Sequence, residues 1–217
     1  KMPAQDHVGV LDLYFQRSEH GALQVEHSYR FHTTSQEFAD AAVSRVIEKW
    51  KVDGDEEVLC TIGSSLSSRT QELRSSENAF GCLVADAMLS ACECDGALIN
   101  GGFIRQDRLY AANLCLTVQQ VKVEMPFSTQ PAVIRLTGAA LLRGLEESVA
   151  LCPTPASCFP HLSEGMTLKF DIHAPPLKRI CRLEIAGEEV DLRRDYLIAI
   201  NSIFHDIAAD GVNEFHN

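Results

Sequence analysis

Ala97-Leu98-Ile99-Asn100-Gly101-Gly102-Phe103-Ile104-Arg105 is the stretch on which the reading of this chain turns. Its apolar start reads as a short buried strand, which stops at an asparagine and two glycines. Glycine lacks the Cβ that blocks close approach, so the backbone at Gly101 and Gly102 can come up against a ligand. Asn100 can donate and accept at once, as the edge of a heterocyclic base requires. Arg105 offers a planar fork for phosphate or carboxylate. Standing alone, the same residues also describe a tight turn with a surface arginine.

Working outward, helices and strands intermingle without strict alternation. Phe80, Leu83, Val84, Ala87, Met88 and Ala91 recur at helical spacing and predict a helix from about Glu77 to Cys92. Thr117 to Val121 reads as a short helix, Val133 to Leu136 as a strand and Gly138 to Val149 as a helix. Met166, Leu168, Phe170 and Ile172 alternate as a strand, and Leu197 to Ile200 is the last one. The expectation is an α/β (mixed α+β) fold, with mixed sheets flanked by helices. Residues 8 to 31 alternate as a hairpin, with Leu11, Leu13 and Phe15 answered by Val25, Tyr29 and Phe31. Thr34-Ser35 followed by Glu37 predicts a capped helix running to about Trp50.

Three further places carry polar or aromatic groups suited to a ligand. Pro126 stiffens the chain before Phe127, which can present a ring at a loop. Phe204 precedes Asp210-Gly211 after the last strand, pairing a ring with a carboxylate that can address a base and a ribose hydroxyl. Arg74 lies just before a helix N-terminus, where its charge adds to the positive end of the dipole. The plain alternatives are a core phenylalanine, a turn-forming Asp-Gly and a solvated charge.

The formal net charge of −11 over 217 residues argues against nucleic-acid binding by a diffuse basic surface. No apolar run approaches the roughly 20 residues that span a bilayer, Asp6 and His7 interrupt any signal-like start, and no Asn-x-Ser/Thr sequon occurs. The eight cysteines include a CxC at Cys92 and Cys94 but no CxxC, so they are read as mostly free thiols rather than a zinc site.

In order and spacing, these blocks resemble the C-terminal domain of the 5′-nucleotidase family. The likeness rests on Arg74…Glu77…Gly81 to Met88, on Ala97 to Arg105, and on Met125-Pro126-Phe127. It continues through Leu136-Thr137-Gly138, Leu145 to Val149, Phe159 to Ser163, Phe170-Asp171, and Tyr196 to Asn201 with Phe204 and Asp210-Gly211. The resemblance implies that Phe127 and Phe204 sandwich a base whose edge Asn100 reads. It further implies that Asp210 binds the ribose, that Arg74 and Arg105 engage the phosphate, and that Gly101 and Gly102 allow close approach. It divides the chain into a hairpin left from a preceding metallophosphatase domain (1–34), a linker helix (35–52) and the substrate-binding domain (53–217).

Hydrolysis in the family belongs to two divalent metal ions in the N-terminal domain, the partner expected in cis. No catalytic or metal-binding residue is expected here, and the ligand implied is a nucleotide or related small phosphoester. The family's DxH, GNH and GHxH signatures are missing as a set. Asp171-Ile172-His173 spells DxH on a predicted strand but has no partner motif. Phe103 replaces a small residue, Ala208-Ala209 replace a glycine pair and Ser76 replaces an arginine. Those departures define the alternative, a non-catalytic binding or interaction module that kept the fold and lost the nucleotide.

Overall fold

Alternation near the start of the chain does make a hairpin. In the computed structural model, which describes residues 7–18, 21, 23–33, 40–50, 57–127 and 130–201, strands β1 (His7–Arg17) and β2 (Leu23–Thr33) pair antiparallel. Leu11 stands opposite Tyr29 and Phe15 opposite Val25, and opposed residues share a face. That face is apolar and open, with Phe15 62% and Tyr29 71% exposed. On the other face Arg30 pairs with Asp12 at 2.9 Å. Helix α1 (Ala41–Trp50) follows. The expected caps Thr34 and Ser35 lie outside the described residues, and the observed cap is Asp40. Its Oδ1 accepts from the amides of Ala42 and Val43 at 2.7 and 3.1 Å, bonds that hold its carboxyl below the usual range. These elements belong to a unit covering Lys1–Gly54, and the remainder forms a second.

The second unit opens with β3 (Val58–Thr61), β4 (Leu66–Ser67), the single-turn helix α2 (Thr70–Leu73) and α3 (Ala79–Ala91). β5 (Gly96–Asn100) runs into one 3₁₀ turn at Gly101–Phe103, followed by β6 (Leu109–Tyr110), β7 (Cys115–Thr117) and α4 (Val118–Glu124). Next come β8 (Pro131–Thr137), α5 (Gly138–Val149), β9 (Pro160–Leu162) and β10 (Met166–Phe170). β11 (Ile180–Ile185), β12 (Glu188–Glu189) and β13 (Asp195–Asn201) complete it.

The central sheet has the order β8-β13-β5-β9, with β13 and β5 parallel and the outer pairs antiparallel. This is the mixed α/β architecture expected. All five residues of β5 are buried. Leu98 faces Leu141 and Leu145 of α5, whereas Ala97 and Ile99 face Ala85 and Met88 of α3. β13 repeats the division, with Ile198 and Ile200 towards α5 and Ala199 towards α3. A strand covered on both faces has to be apolar throughout, which is why both read as continuous runs.

Local chemistry trims the expected elements. α3 begins after Asn78, whose Oδ1 accepts from Phe80 and Gly81 amides at 2.9 and 3.3 Å. Its buried residues are Phe80, Gly81, Ala85 and Met88, while Leu83 is turned outward. β10 stops at Phe170, so Asp171-Ile172-His173 is not on a strand as expected. Asp171 instead makes a local turn, its Oδ1 accepting from the His173 amide at 2.8 Å.

One carbonyl joins three elements. A Cβ added at Gly101 would lie 1.9 Å from the oxygen of Leu73, a backbone atom with little room to move. Nε2 of His161 lies 2.9 Å from that oxygen, and since a carbonyl only accepts, Nε2 carries the proton. His161 is almost wholly buried, and burial pushes its pKa below the ordinary value. Gly101→Ala is therefore expected to cost about 3 kcal/mol or more, a fall of roughly 6–12 °C in thermal unfolding followed by circular dichroism. For His161, the unfolded state binds more protons between the lowered folded pKa and the ordinary histidine value of 6.5. Its contribution is complete above that value and is lost as pH falls through it. Urea unfolding at pH 7.5 and 5.5 should show His161→Gln losing less stability on acidification than the parent chain.

Candidate functional site

Between α5 and β9 the segment 156–159 has no regular ladder, yet it ties together most of the residues singled out from the sequence. The Ala156 amide donates to the carbonyl of Arg74 at 2.8 Å. The Ser157 carbonyl accepts from the Gly102 amide and from Nδ2 of Asn100, both at 2.8 Å. The Gly101 amide donates to the Phe159 carbonyl at 2.8 Å. Arg105 then continues the chain of contacts, its Nη1 donating to the Gly102 carbonyl at 2.9 Å. Its guanidinium carbon sits 5.7 Å from the ring centre of Phe127, within cation–π range. Arg74, Asn100, Gly101, Gly102, Arg105 and Phe127 thus form one connected set. Phe204 and Asp210 lie outside the described residues.

The glycines admit the protein's own atoms. At Gly101 the Cβ position is filled by Leu73, and at Gly102 a Cβ would lie 2.6 Å from Cβ of Ser157. Asn100 is buried and already engaged at both ends, since Nδ2 of Asn201 donates to its Oδ1 at 3.2 Å. Each end still keeps one hydrogen-bonding position. Arg74 is half-buried, and its Nε is buried without a hydrogen-bond partner.

Phe127 is 38% exposed at the rim of a cavity of about 330 Å³. Met88, Ala91, Ile99, Phe103 and Asn201 contribute to its walls. The volume is at the lower end of ligand pockets, and the largely apolar lining suits a flat ring. Phe103 leans on Phe127 with centroids 5.0 Å apart and planes tilted by 35°. A larger cleft of about 740 Å³ carries the carboxylates of Glu77, Asp86 and Glu164 against the single cation of Lys169, a net negative lining. That charge makes it a poor host for a phosphate.

Among the described residues, no group of three or more His, Cys, Asp or Glu side chains converges as a metal site. All eight cysteines are free thiols, and burial pushes those of Cys152 and Cys158 upward, away from reactive thiolate. No helix among the described residues is long and apolar enough to cross a membrane. Sequence reasoning missed Ser157, which stands in a Cys- and Pro-containing loop without periodicity. It also passed over the carboxylate of Glu124, because the predicted helix ends at Val121 whereas the observed one runs to Glu124.

None of the curated proteins compared with the chain matches it. Solved structures do. A 5′-nucleotidase precursor from Thermus thermophilus is 23% identical, with a TM-score of 0.65 over 97% of this chain and 42% of its own. A Staphylococcus aureus protein assigned as a 5′-nucleotidase, solved with α-ketoglutarate, is 20% identical, with a TM-score of 0.67 over 95% and 42%. The sulfate thiohydrolase SoxB of T. thermophilus, solved with glycerol, is 16% identical, with a TM-score of 0.56 over 90% and 36%. The chain thus spans about two-fifths of the length of the two 5′-nucleotidase structures, and these likenesses establish the fold. A family model, 5′-nucleotidase, C-terminal domain, matches residues 53–215. That match covers well over half of the sequence, and the chain belongs to the 5′-nucleotidase C-terminal-domain family.

Proposed function

We propose that this chain is the substrate-recognising part of a 5′-nucleotidase-like phosphoester hydrolase and that it binds a nucleotide or nucleoside at the Arg74–Asn100–Arg105–Phe127 set. The carrying observation is the continuity of that set from Arg105 to Phe127 beside an apolar cavity. On this reading the base lies against Phe127, Asn100 meets its edge with its remaining positions, and Arg74 and Arg105 take the anionic end. Phe204 and Asp210 are assigned the second ring and the ribose contact by family resemblance.

Hydrolysis is assigned to two divalent metal ions held by an N-terminal metallophosphatase domain in cis, which supply the activated water and the charge stabilisation. This chain's share is to hold and orient the substrate. The open apolar face of the β1–β2 hairpin supports reading residues 1–34 as part of that preceding domain, with 35–52 as the linker.

The contact of Phe103 on Phe127 favours a second reading, a module that kept the fold and lost the nucleotide, because it covers ring surface that a base would use. Calorimetric titration with AMP and adenosine separates the two. The recognition reading predicts that both bind and that AMP binds more tightly. Phe127→Ala should then weaken both ligands, since base–aromatic stacking contributes about 1–3 kcal/mol. Arg105→Ala should weaken AMP about tenfold or more and leave adenosine unchanged, in keeping with a charge-assisted hydrogen bond of about 1.5–3 kcal/mol. A folded chain that binds neither ligand would overturn the recognition reading.

A further inference from the structure

Glu124 is buried to 0% exposure at the end of α4, three residues before Phe127. Its Oε1 accepts from Oγ of Ser68 and Oη of Tyr110, both at 2.6 Å. Its Oε2 accepts from the amide of Gln106 at 3.1 Å. Its own carbonyl accepts from the amide of Arg105 at 2.9 Å. Two consecutive amides of the arginine loop are therefore held by one residue, one by its side chain and one by its backbone. Gln106 strengthens the tie, its Nε2 donating to the carbonyl of Val123 at 2.9 Å.

Taking a carboxylate out of water is costly unless other donors replace its hydration. Here Ser68 and Tyr110 do so and aim the second oxygen at Gln106. Ser68 is fixed in turn, because its Oγ accepts from the Arg108 amide at 3.1 Å. An apolar residue would fill the same volume without any desolvation cost, but it would leave the Gln106 amide unpaired. The Arg105 guanidinium rests on the Gly102 carbonyl and the Phe127 ring, and the Glu124 carboxylate fixes the peptide that leaves Arg105 through the Gln106 amide.

We propose that Glu124 is a positioning residue that sets Arg105 for the anionic end of the ligand. It rests on the nucleotide reading of the site, and it adds a part to that site that touches no ligand. AMP and adenosine are titrated into the parent chain, Glu124→Ala, Glu124→Gln, Arg105→Ala and the Glu124→Ala/Arg105→Ala double variant. Glu124→Ala is expected to weaken AMP about tenfold, the loss of one charge-assisted contact, and to leave adenosine within about twofold. In the Arg105→Ala background it should cause no further loss, since residues acting as a unit are not additive. Glu124→Gln should restore most of the AMP affinity. Its oxygen can serve the Gln106 amide while its NH₂ donates to the Ser68 and Tyr110 hydroxyls, which rotate to accept.

Equal weakening of both ligands, additive losses in the double variant, or unchanged AMP binding in Glu124→Ala would each overturn the proposal while leaving the nucleotide reading intact. Absence of binding to the parent chain would remove that reading and the proposal with it. Should Glu124→Ala not fold, Tyr110→Phe removes one donor that aims the carboxylate. It should then show a smaller, AMP-selective loss, and equal losses for the two ligands would again overturn the proposal.

Discussion

The absence of any space between the Leu73 carbonyl and Gly101 is the constraint on which the rest of the second unit depends. It brings the end of α2 against the turn that leaves β5. His161 reaches the same oxygen from β9, so three elements share one acceptor. Once these are in register, Phe159 and Ser157 can meet the amides of Gly101 and Gly102. Site geometry here is a by-product of the protein packing on itself. The glycines serve that packing first, and whatever ligand surface they present lies on what is left.

Much of this fold was legible because its central strands are buried on both faces. Apolar runs at 97–99 and 197–200 have few alternatives, and the capped helix at Gly138–Val149 kept its predicted bounds. The hairpin was legible from its alternation. The site was legible only in outline. A glycine pair states that something comes close without stating what, and here Leu73 and Ser157 occupy the room read as space for a ligand. Ser157 meets Asn100 from 57 positions away and Glu124 meets Ser68 from 56, separations that no local pattern encodes. The Thr34-Ser35 cap pattern falls outside the described residues, while the amides that open α1 are held by Asp40, a residue the sequence reading had not singled out.

Charge is sorted on a finer scale than composition reveals. A net charge of −11 discourages anions at long range. Even so, the Arg105 guanidinium sits against the Phe127 ring beside one cavity, while Glu77, Asp86 and Glu164 outnumber Lys169 in the other cleft. The buried carboxylate of Glu124 is reserved for internal donors, Ser68, Tyr110 and the Gln106 amide. The overall sign and the local sign therefore do different work. The first sets how often an anion arrives, and the second sets where one can remain.

Asn100 shows what such bracing does to recognition. Its amide is oriented by Ser157 on one side and Asn201 on the other, so its carbonyl and NH₂ ends are assigned before any ligand arrives. An asparagine on an open loop would have to give up rotamer freedom on binding. Here that loss is incurred during folding, and under the proposed function the remaining donor and acceptor would act as a fixed template. On that proposal, molecules whose edge fits it would meet a surface already set, and those presenting the reverse polarity would meet one that cannot turn to suit them.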